Sequence, residues 1–104
     1  MMTIKFSKQY KKDLKKALRS GLSQSELDKV VNILSSGGTL PEKYCDHALN
    51  NSKHYKDCRE CHVRPDVLLV YRYSDGALVL KLIRIGSHSD LFSTSIVENR
   101  LVFI

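Results

Sequence analysis

The dipeptide Asp75-Gly76 lies between two runs of β-forming residues, 66–73 and 77–85, and restricts the fold more than any other feature of the chain. Gly accepts the positive φ that a two-residue type I′ turn requires, so the two runs are expected to pair as an antiparallel hairpin. The first run holds Val67-Leu68-Leu69-Val70-Tyr71, the densest β-forming stretch present. In the second, Leu78, Leu80 and Leu82 alternate with Lys81 and Arg84. Residues 57–64 alternate more loosely and are broken by Pro65, and residues 3–6 form a short extended opening.

Two helical patterns fill the N-terminal half. Ser7 is an N-cap for a stripe of Tyr10, Leu14, Ala17 and Leu18, and Gly21 stands where a left-handed C-cap belongs. Ser23 and Glu26 have capping-box spacing, with Leu22 and Leu27 in the hydrophobic-staple positions. Leu27, Val30, Val31 and Leu34 then form an apolar face that ends at Gly37-Gly38. Residues 39–56 show little periodicity, and a connection of that length in a small domain is usually either functional or wrongly taken for a loop. The sum is an α+β fold of order β-α-α-β-β-β. Two N-terminal helices pack on one face of a mostly antiparallel four-stranded sheet, in a single domain spanning residues 1–104. Residues 93–104 form an apolar C-terminal extension.

With 17 Lys and Arg against 11 Asp and Glu, the net charge is +6, which points to a polyanionic partner. The longest apolar stretch is far too short to cross a bilayer, so no membrane partner is expected. The opening Met-Met-Thr-Ile-Lys-Phe lacks the apolar core of a signal peptide, so the expected location is cytoplasmic, with reduced thiols at Cys45, Cys58 and Cys61. Cys58-Arg59-Glu60-Cys61-His62 spells the attachment pattern of a covalent haem, a chemistry that needs export. A zinc set drawn from Cys45, His47, Cys58 and Cys61 or His62 is an alternative. Residues three apart on a strand point to opposite faces, however, so the expectation is no cofactor and no metal.

The histidines carry more information. His62 shares a strand face with Cys58, Glu60 and Arg64, and Asp66 lies just past the Pro65 corner, where a carboxylate beside imidazole would make a general base. His88 follows a strand end at Gly86-Ser87, and His47 lies in the long connection. Lys53, Lys56, Arg59, Arg64 and Arg84 fall in the same segments, and Tyr44, Tyr55 and Phe92 offer stacking surfaces. Such a set suits metal-free RNA cleavage: a base for the 2′-hydroxyl, an acid for the leaving 5′-oxygen, and cations for the charged transition state. The plainer reading is a solvated basic surface bearing isolated histidines.

Asp46-His47-Ala48-Leu49, Arg59-Glu60-Cys61-His62-Val63-Arg64-Pro65-Asp66, Leu68-Leu69-Val70-Tyr71 and Arg84-Ile85-Gly86-Ser87-His88-Ser89-Asp90-Leu91-Phe92 resemble, in order and spacing, the YafQ branch of the RelE/ParE toxin superfamily. The resemblance implies a RelE-like fold and a type II toxin that cuts mRNA in the ribosomal A site. It implies that His47, His62, Asp66 and His88 form the catalytic set, that Phe92 contacts substrate and that Arg84 contacts the scissile phosphate. Arg59, Lys53 and Lys56, clustered in the same segments, are expected as further substrate-binding cations. It also implies a cognate antitoxin and, through that complex alone, operator DNA. Lys8, Lys11, Lys12, Lys15, Lys16 and Arg19 on the first helix are the candidate surface for ribosomal RNA. The competing readings are a non-catalytic antitoxin-binding co-repressor of the same fold and a small zinc protein.

Overall fold

The computed structural model describes residues 2–49 and 55–92. Its elements run β1 (Thr3–Phe6), α1 (Lys8–Arg19), α2 (Gln24–Ser35), a 3₁₀ turn (Glu42–Tyr44), β2 (His47–Ala48), β3 (Arg59–Arg64), β4 (Val67–Ser74), β5 (Val79–Gly86) and α3 (His88–Phe92). The sheet has five strands in the order β1-β5-β4-β3-β2, with β1 parallel to β5 and the remaining neighbours antiparallel. The expected α+β class holds, with one strand and one helix more than the periodicity indicated. A two-residue strand shows no alternation, and a five-residue helix shows no 3.6-residue period. Lys53 and the expected extension at 93–104 lie outside the described residues.

Ser7 caps α1 as expected, its hydroxyl accepting from the Tyr10 amide at 2.9 Å. The same hydroxyl donates to the Ile83 carbonyl at 2.6 Å, so the cap also ties the helix start to β5. Tyr10 and Ala17 are buried, Leu14 packs against the core, and Leu18 remains 38% exposed at the edge of the stripe. Gly21 takes φ +106°, the left-handed stop anticipated for α1. The α2 capping box does not close. Ser23 occupies the N-cap, but its hydroxyl meets Ser25 at 2.8 Å, and Glu26 pairs instead with Arg64 of β3 at 3.0 Å. A charged partner from the sheet outcompetes a local amide here, while Leu22 and Leu27 are both buried around the cap as the staple required.

The β4–β5 connection is longer than the two residues expected. Pairing resumes at Ser74↔Val79, leaving residues 75–78 as the loop, and Asp75, Gly76 and Ala77 all have positive φ (53°, 64° and 67°). Left-handed backbone costs an L-residue such as Ala about 1 kcal/mol. The entropy of Gly in the unfolded chain returns part of that. Ala77→Gly is expected to raise the melting temperature by roughly 2–4 °C, read by circular dichroism.

The run Val67-Leu68-Leu69-Val70-Tyr71 is nearly all apolar because β4 lies in the middle of the sheet with cover on both faces. Leu69 and Tyr71 join the main core under the helices, with Tyr10, Leu27, Val30, Leu34, Cys61, Leu80 and Leu82. Leu68 and Val70 face the other side, in a smaller cluster with Tyr55, Cys58 and Leu91. That second face carries the polar residues of interest.

Candidate active site

Strand register aligns the site. Directly opposed residues share a face, so the pairs His47↔Glu60, Glu60↔Val70 and Val70↔Arg84 lay one row across β2, β3, β4 and β5 on the face away from α1 and α2. The adjoining row is His62↔Leu68 and Leu68↔Gly86, one step before the turn into α3.

Glu60 organises the β3 end of this surface. It is 6% exposed, and its Oε1 lies 3.6 Å from His47 Nε2 and 3.8 Å from His62 Nε2. A buried carboxylate needs a cationic or hydrogen-bonding partner, and two imidazoles stand beside this one. The Nδ1 of His47 lies 2.7 Å from the Cys45 carbonyl, which can only accept. Cys45 has φ 50°, the left-handed C-cap of the 3₁₀ turn, and delivers this carbonyl.

At the other end, Ser87 and Asp90 hold α3. The Ser87 hydroxyl accepts from the Asp90 amide at 3.1 Å, and the Asp90 carboxylate accepts from the Ser87 amide at 3.4 Å. Hydrogen bonds from Ser87, and then Lys16 at 3.3 Å, lower the Asp90 pKa. His88 opens this helix and is exposed, with its ring 4.9 Å from that of Phe92. Phe92 in turn meets Tyr55 edge-on at 5.4 Å. The Tyr55 hydroxyl donates to the Leu91 carbonyl at 2.8 Å and accepts from Arg84 Nη1 at 3.3 Å. Burial raises the Tyr55 pKa despite the neighbouring guanidinium, so the phenol keeps its proton.

Arg84 reaches around the edge of β5 to Asp13 of α1. Its Nε donates to Asp13 Oδ2 at 2.6 Å and its Nη2 to Oδ1 at 3.2 Å, and Asp13 raises the Arg84 pKa further.

The remaining expected residues are placed differently. Asp66 does not serve as the partner of His62. It is exposed on the β3–β4 turn, in a groove of about 330 Å³ shared with Lys16, Arg84, Ser87 and Asp90. His62 lines a neighbouring groove of about 550 Å³ with Lys29, Lys43 and Tyr44, and Arg64 borders both. The irregular β3–β4 register between His62 and Arg64 separates the two side chains. Arg59 is on the opposite face, where it pairs with Asp46 at 3.2 Å while Tyr71 donates to the same carboxylate. Lys56 is exposed beside Tyr55 in the chain. All six basic residues of α1 are exposed, and Lys16 meets Asp90.

The cysteines do not assemble a ligand set. Cys58 faces the smaller cluster and Cys61 the main core. Burial pushes the Cys61 thiol up to about 12 and also raises Cys58, so both stay protonated at neutral pH. Among the described residues no three of His, Cys, Asp and Glu are grouped to hold a metal ion. Cys58 and Cys61 thus lie on opposed faces of the sheet.

Residues 2–93 match the family described as the bacterial toxin of type II toxin–antitoxin systems, YafQ. The chain belongs to this family. It is 36% identical over 90 residues to the mRNA interferase toxin YafQ of Escherichia coli K12, covering 86% of this chain and 94% of that one. Among solved structures, a metal-bound toxin from Helicobacter pylori superposes with a TM-score of 0.81 at 46% identity, covering 88% of this chain and all of that one. The E. coli DinJ-YafQ complex gives 0.77 at 33% identity, over 89% of this chain and all of the matched chain. The five-stranded sheet and its helices are thus the YafQ fold.

Two residues with evident roles had no place in the sequence-based set. Glu60 stood on the correct strand face, but a single carboxylate inside a cysteine motif drew no attention. Asp13 was hidden among lysines, although it falls on the Tyr10 and Ala17 side of α1, where a charge needs a buried partner.

Proposed function

We propose that this protein is an mRNA interferase, a ribosome-dependent endoribonuclease that arrests translation and is neutralised by a cognate antitoxin in the cytoplasm. The observation that carries the reading is the row His47–Glu60–Val70–Arg84 on one sheet face, flanked by His62 and by α3 with His88 and Phe92. Imidazoles on a buried carboxylate, a guanidinium and a half-buried aromatic are the parts that cleavage by a 2′-hydroxyl needs.

In the proposed step a base takes the proton of the 2′-hydroxyl, whose oxygen attacks the adjacent phosphorus. The bond to the 5′-oxygen breaks as an acid protonates it, leaving a 2′,3′-cyclic phosphate. The nucleophile belongs to the RNA, so no metal-bound water is required. His62 and His88 share the acid and base roles, with His47 and Glu60 orienting His62. Asp66, across Arg64 from His62, acts on the neighbouring nucleotide or orients the substrate. Arg84 takes the phosphate charge and Phe92 stacks on a displaced base. Arg59, paired with Asp46, holds β2 in register. Operator DNA is bound through the antitoxin complex.

The test is induced expression in growing cells with mRNA 5′ ends mapped before and after. Arrest accompanied by new ends inside translated codons is expected. Soluble protein that neither slows growth nor creates ends would remove the reading and favour a non-catalytic partner of the antitoxin.

A further inference from the structure

We propose that Asp13 is the positioning residue for Arg84, and through it for α3, so that the outer helix of the fold sets the geometry of the cleavage site. This rests on the RNA-cleaving reading above and assigns a function to a residue that touches no substrate.

The geometry is specific. The β1–β5 ladder ends at Phe6↔Leu82, and the next stretch of β5 has its edge satisfied by α1 and its cap instead. Ser7 donates to the Ile83 carbonyl at 2.6 Å, and Asp13 Oδ2 accepts from the Ile85 amide at 3.1 Å. The Asp13 side chain is only 9% exposed. It therefore fixes the backbone on one side of Arg84 and the guanidinium itself, through three hydrogen bonds to one carboxylate. A buried carboxylate of this kind is anchored by its own bonds and moves little.

Donor arithmetic shows why this matters. A guanidinium has five N–H groups. Among the described residues, Nε and one N–H of Nη2 go to Asp13 and one N–H of Nη1 goes to Tyr55. Two donors remain, one on each terminal nitrogen of the guanidinium fork, for the oxygens of a phosphate. Tyr55 passes the restraint on, because its hydroxyl also holds the Leu91 carbonyl of α3. Arg84 lacking Asp13 would keep its charge but lose the orientation of that fork.

The test compares Asp13→Asn, Asp13→Glu and wild-type protein in two measurements. In ¹⁵N spectra of the full chain, the Arg84 Nε–H of the wild type is expected to be resolved and slow to exchange. Asp13→Asn is expected to lose that signal, while Asp13→Glu, which keeps the charge, retains it. In single-turnover cleavage on mRNA-programmed ribosomes, Asp13→Asn is expected to lower the maximum rate by about 10²-fold. The half-saturating ribosome concentration should stay within about twofold of wild type, and Asp13→Glu should recover most of the rate. In an Arg84→Ala background, Asp13→Asn should add no further loss. A persistent, slowly exchanging Arg84 signal in Asp13→Asn would overturn the inference whatever the cleavage assay gives, as would additive losses or a folded Asp13→Glu as slow as Asp13→Asn. Wild-type protein that leaves mRNA uncut overturns the toxin reading itself, and the spectra separate that failure from the first.

Discussion

Protein carrying His62→Ala together with His88→Ala is expected to associate with ribosomes as the wild type does, yet to leave mRNA intact and growth unaffected. Each imidazole serving as acid or base contributes about 10²–10⁴ in rate, so loss of both places cleavage below detection in cells. The fold should tolerate the change. His88 is exposed on α3, and the His62 side chain retains 30% exposure on the β3 face. Glu60 keeps His47 at 3.6 Å as its remaining partner, so its buried charge is not stranded. Circular dichroism and antitoxin capture of the double variant should therefore match the wild type while mapped 5′ ends disappear. A double variant that still cuts would move the acid and base to His47 and Asp66.

The second large effect concerns α1 and should take the opposite kinetic form. Lys8, Lys11, Lys12, Lys15 and Arg19 project from one side of the helix at three- and four-residue spacing, all exposed, while Tyr10, Asp13 and Ala17 face the sheet. Lys16 is best left in place because it meets Asp90 and so supports α3. Changing the other five to Gln removes positive charge without touching the core. Each phosphate contact adds about 0.7–0.9 to the slope of log affinity against log salt. Half-saturation should therefore shift by at least about tenfold at moderate salt, and the salt slope should flatten. The maximum rate on saturating ribosomes should stay close to that of wild type. An unchanged salt slope would mean that another surface docks.

These two expectations draw on features of unequal visibility in the sequence. The cap at Ser7, the stop at Gly21 and the central run from Val67 to Tyr71 were legible because one residue type or one uninterrupted pattern decides each. The parallel contact of β1 with β5 was not, since neither strand carries a mark of its partner. Asp75-Gly76 signalled a turn but not its length, because Ala77 also adopts a left-handed backbone that its side chain disfavours. The expected closeness of His62 and Asp66 assumed an even strand, and the β3–β4 irregularity broke that assumption. His47, His62 and Arg84 reach one face as their sequence blocks suggested, whereas Arg59, an immediate neighbour of Glu60, turns away as alternation requires. Asp13 needed the tertiary structure. It becomes conspicuous only once its side of α1 is known to be buried.

The parallel pairing of the first strand with the last also has a consequence in time. Thr3 finds its partner in Val79 of β5, the strand that carries Arg84 and leads to His88, so the proposed cutting surface depends on contacts between residues far apart in the chain. Chains dominated by such distant contacts fold late and comparatively slowly. During synthesis, β1 and α1 emerge early but have no β5 to receive them. Synthesis therefore has to reach β5 and α3 before the proposed site can form, and the interval before closure is one in which the proposed antitoxin partner could engage the chain first.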